Sequence, residues 1–334
     1  MTTPTSFPAY LVSSTPAGIT AAFITMADDQ LDPGEVTVRV QYASVNFKDA
    51  LAATGKGKII RRFPCVGGID ASGVVESSSA PHFKPGDSVI VHSHGFGVSH
   101  HGGYAARARA PAAWVNRLPS GMSALEAITL GVAGYTAALG IDLMELNGLA
   151  PAKGKVLVNG ATGGVASVSI DLLAQRGYQV VAVTSKPAEA EYLKLLGASE
   201  VIASADLPAG TKPLEPALWQ GAVDSLGGAP LAALTRSMQR EGVIASIGNA
   251  AGLDFNGNVM PFILRGVRLV GVNSDNDPPL RDRIWKRLGS DLRPRHLAQI
   301  ARVIPFDQLP QAIEAVANGK ARGRTVIDVG SAQG

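Results

Sequence analysis

Along the first third of the chain, apolar and polar residues alternate in short runs. "EVTVRVQYASV", from Glu35 to Val45, places every second side chain on one apolar face, and "IDASGVVES" and "DSVIVHS" are shorter runs bounded by glycine or by turn residues such as Pro85-Gly86-Asp87. A period of two with this punctuation predicts β-strands, and several in succession predict a barrel or sandwich rather than a helical bundle.

From about Ser123 the pattern changes to helix and strand in alternation. "SALEAITLGVAGYTAALGIDLMEL" has helical periodicity, "KVLVNG" is a buried strand, "GVASVSIDLLAQRG" is a helix closed by Gly177, and "YQVVAVTS" is a strand. "AEAEYLKLLG" (helix), "GAVDSLG" (strand), "PLAALTRSMQREG" (helix) and "VIASIG" (strand) continue the series. Such alternation predicts parallel strands covered by helices on both faces. After "VRLVGVNS", the helical "PPLRDRIWKRLGSDL" and "FDQLPQAIEAVANG" lead to a last strand, "RTVIDVG". The expected class is therefore α/β, with a β-rich domain over residues 1–124, a doubly wound parallel sheet over 125–275, and a return to the first domain over 276–334.

The stretch "KVLVNGATGGVASVSIDLLAQRGYQVVAVTSK" carries the clearest chemistry. A buried strand enters Gly160-Ala161-Thr162-Gly163-Gly164-Val165-Ala166, and a helix starts there. Amide N–H groups at a helix start suit a pyrophosphate, and small residues let it approach closely. The spacing is G-x-x-G-x-x-A, weak alone; the strand before it, the helix after it and the second strand ending at Thr184 make it a dinucleotide site. An acidic residue at that second strand end would take a ribose 2′-hydroxyl, but Thr184-Ser185-Lys186 offers hydroxyls and a cation instead, which suits the 2′-phosphate of NADPH. Ser225 and the Gly248-Asn249 pair stand at later strand ends, expected to line the same crevice.

Composition narrows the picture. With 46% hydrophobic and 17% charged residues among 334, the chain is of the globular class, and its net charge of +3 is too small to imply nucleic acid unless concentrated in one patch. Cys65 is the single cysteine, which excludes an internal disulfide and a four-cysteine zinc site. The opening "MTTPTSFPAY" lacks the regions of a signal peptide and no run of roughly 20 apolar residues is read from the chain, so the expectation is a cytoplasmic protein with no membrane partner.

Two clusters remain. "NFKDALAATGKGKIIRRFP" gathers Lys48, Lys56, Lys58, Arg61 and Arg62 beside Asp49. It reads as a solvated surface, as phosphate contacts for RNA, or as contacts for another phosphate-bearing ligand; only Phe63 offers an interleaved stacking aromatic, which argues against RNA. "HSHGFGVSHHGG" gathers His92, His94, His100 and His101, a candidate metal cluster without an acid or thiol, a substrate contact, or a surface loop.

A barrel before a dinucleotide-binding unit resembles the medium-chain dehydrogenase/reductase superfamily. In its zinc enzymes a Gly-His-Glu follows the first strands; here "PCVGGIDASGVV" has Ile69 in place of the histidine and Asp70 in place of the glutamate, so no catalytic zinc is expected. Taken together, "NFKDALAATGKGKIIRRFPCVGGIDASGVV", "NGATGGVASVSIDLLAQRGYQVVAVTSKPAEAEYLKLLGAS", "VMPFILRGVRLVGVNS" and "GRTVIDV" resemble the zinc-free acryloyl-CoA reductases of the quinone-oxidoreductase branch. The resemblance implies a GroES-like barrel domain with a Rossmann domain, and NADPH-dependent reduction of acryloyl-CoA to propanoyl-CoA. It implies cofactor contacts at Thr162, Gly163, Gly164 and Val165 (pyrophosphate), at Thr184, Ser185 and Lys186 (2′-phosphate), and at Ser225, Asn249, Phe262, Ile263 and Asn273. It also implies a homodimer, with no nucleic-acid partner. Relatives commonly have tyrosine where this chain has Phe47, facing the nicotinamide; Asn46 is a candidate hydrogen-bond donor to the nicotinamide or substrate carbonyl, and Asp49 a helix cap or a base. Lys56, Lys58 and Arg61 become candidates for the phosphates of an acyl-CoA thioester. The alternatives are an NADPH:quinone oxidoreductase and a dinucleotide-binding protein that acts by binding RNA.

Overall fold

The computed structural model describes residues 6–207 and 210–333. They divide into two compact units, Met1–Val132 with Asp275–Gly289 and Leu297–Gly334, and Ala133–Ser274 with Ser290–His296. The first boundary thus follows Val132 rather than residue 124, and residues 290–296 group with the second unit rather than with the returning segment. Both differences arise where one helix or loop continues across the division, leaving no composition change to read.

In the first unit, an antiparallel hairpin of β1 (Ser6–Thr15) and β2 (Gly18–Ala27) opens the chain, followed by β3 (Val36–Val45), helix α1 (Phe47–Thr54), β4 (Cys65–Val66), β5 (Asp70–Ser78), β6 (Ser88–His92), β7 (Arg107–Ala110) and β8 (Val115–Arg117). The alternating run of β3 buries Val36, Val38 and Val40 completely or almost completely in the barrel core and leaves Arg39 exposed. Helix α2 (Ala124–Leu146) spans the boundary between the units, broken at Gly131, where φ is 52° and ψ −152°. It is long and apolar enough to cross a membrane by composition, but 94% of its apolar window is buried inside the protein, which makes it a core helix.

The second unit builds its sheet from β9 (Val156–Val158), β10 (Val180–Thr184), β11 (Glu200–Ala203), β12 (Trp219–Asp224), β13 (Met238–Ser246) and β14 (Arg268–Gly271), joined through α3 (Gly164–Gln175), α4 (Ala190–Leu195), α5 (Gly228–Arg236) and α6 (Met260–Arg265). Among the described residues all pairings in this sheet are parallel, in the order β11-β10-β9-β12-β13-β14. This is the doubly wound order of a Rossmann domain, with its switch point between β9 and β12. Helix α5 stops at Arg236, short of the run read as helical through Gly242, because Met238 is already fully buried in strand β13.

The chain then returns through α7 (Pro278–Leu288), α8 (Leu297–Ile300), β15 (Ala301–Pro305), α9 (Leu309–Ala317) and β16 (Arg324–Asp328). Strand β16 pairs antiparallel with β3, with Thr325 opposite Val45, so the last strand completes the barrel sheet beside the start of α1. Arg281 of α7 is fully buried there, donating to Asn116 Oδ1 and to the carbonyls of His92 and Trp114.

Candidate active site

In the second unit, the dinucleotide turn is built from the ends of β9 and β12. Asn159 closes β9 by accepting from the Ser225 amide at 2.7 Å and donating to Asp224, while Asp224 accepts from the Gly227 amide at 3.0 Å. Burial raises the Asp224 carboxyl above its usual range, against the pull of these donors. The turn then needs Gly160, at φ 57°, and the Gly163 amide closes it onto the Gly160 carbonyl at 2.8 Å. Helix α3 begins at Gly164 with no side-chain cap, so its first-turn amides are left for a ligand. A side chain grafted on Gly163 would meet only the Gly160 carbonyl, at 3.1 Å, so the approach to those amides is open.

Thr162 is buried, Gly163 exposed, and Gly164 and Val165 half-buried at this helix start. Thr184 is 2% exposed and its hydroxyl accepts from the Lys186 amide at 3.0 Å, so it shapes the turn that presents exposed Ser185 and half-buried Lys186. The Ser225 Oγ is buried and has no hydrogen-bond partner among the described residues. An orphaned hydroxyl at the end of β12, beside an uncapped helix start, fits a dinucleotide whose polar groups satisfy both. Asn249 and Asn273 are exposed and Ile263 is 69% exposed, whereas Phe262 packs against the core beneath the parallel sheet.

In the first unit, Asn46 caps α1 and stands in a buried polar cluster. Asp49 Oδ2 accepts from the Asn46 amide at 2.9 Å and from Asn46 Nδ2 at 3.1 Å, and Asp49 Oδ1 accepts from the Ile69 amide at 3.0 Å. Asp70, in the position of the zinc enzymes' glutamate, accepts from Ser44 Oγ at 2.5 Å, Asn46 Nδ2 at 3.2 Å and the Val132 amide at 2.9 Å. Arg324 answers Asp70: it lies 3.6 Å from that carboxylate and donates to Asn46 Oδ1 at 2.9 Å, Ser44 Oγ at 2.6 Å and the Thr129 carbonyl at 3.0 Å. Burial, and then the charge of Asp70, push the Asp49 carboxyl up to about 7, against the hydrogen bonds from Asn46 and Ile69.

Asn46 is engaged on every side within this cluster. Its amide hydrogens point at Asp49, Asp70 and Ser44, and its oxygen takes the Arg324 guanidinium, which fixes its orientation at the start of α1. Asp49 is 3% exposed and caps the helix; Phe47, the first residue of α1, is 43% exposed and outside the cluster. Arg324 was not singled out in the sequence, where a lone arginine before a strand carries no sign of a partner 278 positions earlier.

The basic stretch divides. Lys48, Lys56, Lys58 and Arg61 are exposed, but Arg62 is paired with Asp32, which also accepts from the His101 amide at 2.6 Å. The Arg61 amide donates to the Val98 carbonyl at 2.9 Å, against the histidine-rich loop, whereas Lys56 Nζ donates to Asn318 Oδ1 at 3.2 Å.

The four histidines do not converge. His92 is fully buried and accepts from Trp285 Nε1 at 3.0 Å; burial holds its imidazole well below the ordinary range, neutral. His94 stacks on Trp114 and lies 2.6 Å from Asp275, His100 bonds the Arg109 carbonyl at 2.7 Å, and His101 accepts from the Val66 amide at 3.0 Å. Positive φ at Ser93 and His94, 68° and 55°, breaks the H-x-H spacing that would have aimed two rings together. Among the described residues no group of three or more histidine, cysteine or acidic side chains is disposed to hold a metal.

With this geometry in place, the comparisons with known proteins fall into line. Residues 32–120 match the alcohol dehydrogenase GroES-like domain and residues 164–286 the zinc-binding dehydrogenase domain. The chain is 43% identical over 310 residues, 92% of its length and 95% of the other's, to the Escherichia coli protein named "Probable acrylyl-CoA reductase AcuI". It is 43% identical over 306 residues, 91% and 93% of the two lengths, to "Putative quinone oxidoreductase YhfP" of Bacillus subtilis. The crystal structure of E. coli K-12 YhdH with bound NADPH superposes with a TM-score of 0.93 at 41% identity, covering 96% of this chain and 99% of that one.

Proposed function

Because the chain belongs to the acrylyl-CoA reductase family of the medium-chain dehydrogenases/reductases, we propose that it reduces acryloyl-CoA to propanoyl-CoA with NADPH. What carries this reading is the near full-length likeness to an acrylyl-CoA reductase, in a chain whose own helix α3 starts uncapped beside the orphaned Ser225 hydroxyl. NADPH supplies the hydride for the β-carbon of the alkene, and the α-carbon takes a proton.

The chain's residues divide the remaining work. Thr162, Gly163, Gly164 and Val165 hold the pyrophosphate through the first amides of α3. Ser185 and Lys186 hold the 2′-phosphate on a turn that Thr184 shapes, with charge-assisted hydrogen bonds as the source of preference for NADPH. Ser225, Asn249, Phe262, Ile263 and Asn273 are assigned to the rest of the dinucleotide, Phe262 by supporting the exposed Ile263 from the core side. Asn46 and Asp49 fix the start of α1, and Phe47 is an apolar wall there. Charge that develops on the thioester oxygen calls for preorganised donors, and the proton for the α-carbon comes from solvent, since Phe47 has no hydroxyl. Lys56, Lys58 and Arg61 are the first candidates for the coenzyme A phosphates.

The same reading is zinc-independent. Ile69 cannot ligate, and Asp70 is held by Ser44, Asn46, Val132 and Arg324, so the residues at this place do not fit a catalytic zinc. We also assign a homodimer: among the described residues β14 is an edge strand of the parallel sheet, and Leu264 and Leu269 are exposed. A cytoplasmic location, with neither nucleic acid nor membrane as partner, belongs to the same assignment.

A quinone oxidoreductase is the second reading, favoured by the equal identity to YhfP. Steady-state NADPH oxidation decides between them, with acryloyl-CoA, a simple benzoquinone and free acrylate compared side by side. The expected result is turnover with the thioester far above that with quinone or acrylate. Quinone turnover without thioester turnover overturns the proposal, and salt-sensitive RNA binding with no turnover of either would move the chain to the non-enzymatic alternative.

A further inference from the structure

Strand β16 and helix α9 are joined by Asn318–Gly323, and this segment is tied down at both ends of α1. At one end Lys56 Nζ donates to Asn318 Oδ1 at 3.2 Å; at the other Arg324 donates to Asn46 Oδ1 at 2.9 Å. The eight residues of α1 span about 12 Å between these anchors. "NGKARGR" therefore runs back along α1 from its C-terminal end to its N-terminal end, turned by Gly319 and Gly323 at φ 66° and 58°. It carries Lys320 and Arg322, both exposed, alongside exposed Lys48, Lys56 and Lys58. Among the described residues of 46–58 and 318–324 the one acid is Asp49, and it is buried at 3% exposure. Two stretches from opposite ends of the chain thus form one cationic strip with no exposed carboxylate in either.

We propose that Lys320 and Arg322, with Lys56 and Lys58, form the binding strip for the phosphorylated nucleotide end of a coenzyme A thioester. The proposal rests on the acyl-CoA reading above and adds to its residues: the anchors place Lys320 and Arg322 on the strip. Phe47 stands at one end of α1 and Lys56 just beyond the other, beside Asn318, so an extended ligand laid along the helix brings its phosphates toward Lys56, Lys58 and Lys320 with its acyl end toward Phe47. The strip gathers positive charge where a ligand with a 3′-phosphate and a pyrophosphate would be held by charge-assisted hydrogen bonds.

The test compares Lys320→Ala/Arg322→Ala with the wild type in two measurements. In the first, the preference for acryloyl-CoA over acryloyl-pantetheine, which lacks the nucleotide, falls about tenfold in kcat/KM, and the KM for NADPH stays put. In the second, calorimetric binding of free coenzyme A weakens by a similar factor, and Lys320→Arg/Arg322→Lys restores most of it. An unchanged thioester preference with unchanged coenzyme A binding overturns the strip, as does a rise in KM for NADPH alone, which would reassign the charges to the cofactor. If the wild type turns over no acryloyl-CoA, the reductase reading fails, and the binding measurement still decides whether the strip takes coenzyme A.

Discussion

Arg324 donates to Asn46 Oδ1 at 2.9 Å, joining the first residue of the last strand to the cap of α1. The same guanidinium faces Asp70 at 3.6 Å, and it is 2% exposed. Removing one partner of a buried pair leaves the other charge unpaired in a low-dielectric setting, at a cost of about 3–5 kcal/mol. Arg324→Met is expected to lower stability on that order, measured by denaturant unfolding of the barrel signal. Arg324→Met combined with Asp70→Asn should recover part of the loss; a double variant as weak as the sum of the two singles would show that the residues do not act on each other.

Asp49 makes stability depend on pH. Its carboxyl titrates near 3.8 when solvated and is pushed up to about 7 by burial and by Asp70. Below 3.8 both the folded and unfolded chains hold the proton; between 3.8 and about 7 the folded chain alone does, so its stability falls as pH rises through that window and levels off above it. The loss amounts to on the order of 4 kcal/mol. Asp49→Asn cannot titrate, and the wild-type minus variant difference in unfolding free energy should slope downward from pH 4 to 7. A flat difference over that range would mean that the carboxyl is ionised throughout.

The two patterns that organise the fold were legible because each is local. Alternation in β3 and the strand–turn–helix around Gly160 are set by residues within a few positions of one another, and both stand as read. The cap of α1 was half legible: Asn46 and Asp49 are three apart, so the reciprocal cap could be suspected, but the other partners of Asn46 lie on β3, β5 and β16. Sheet register brings those together, and register is not written in any one segment. The surroundings of the basic run were hidden for the same reason. It is continuous in sequence, yet Arg62 is neutralised by Asp32 and the neighbours of Lys56 come from the other end of the chain. Spacing left the histidines open among a metal cluster, a substrate contact and a surface loop, because the left-handed backbone at Ser93 and His94 that parts the rings is not written in the spacing.

Lys186 is the residue on which cofactor choice should turn. Its amide is fixed to the Thr184 hydroxyl at 3.0 Å, so the loop conformation survives loss of the side chain. Lys186→Ala is expected to raise the KM for NADPH about tenfold, the value of one charge-assisted contact, and to leave that for NADH within about twofold. Steady-state kinetics with both cofactors checks it. Equal rises for the two would place the lysine away from the 2′-phosphate.

Phe47 tests where the proton comes from. It is the first residue of α1, its ring is 43% exposed, and no hydrogen bond of the Asn46 cluster depends on it. A positioned general acid contributes about 10²–10⁴-fold. If this position had to supply the proton, the phenylalanine enzyme would be slow by that factor, and Phe47→Tyr would restore it. An apolar wall predicts something different: Phe47→Tyr changes kcat with acryloyl-CoA by less than about tenfold, equivalent to roughly 1.4 kcal/mol of barrier, and Phe47→Ala lowers kcat/KM because the ring no longer orients the alkene. A gain of a hundredfold or more in the tyrosine variant would make position 47 the acid, and a comparable loss would mean that the added hydroxyl does not fit against the reacting groups.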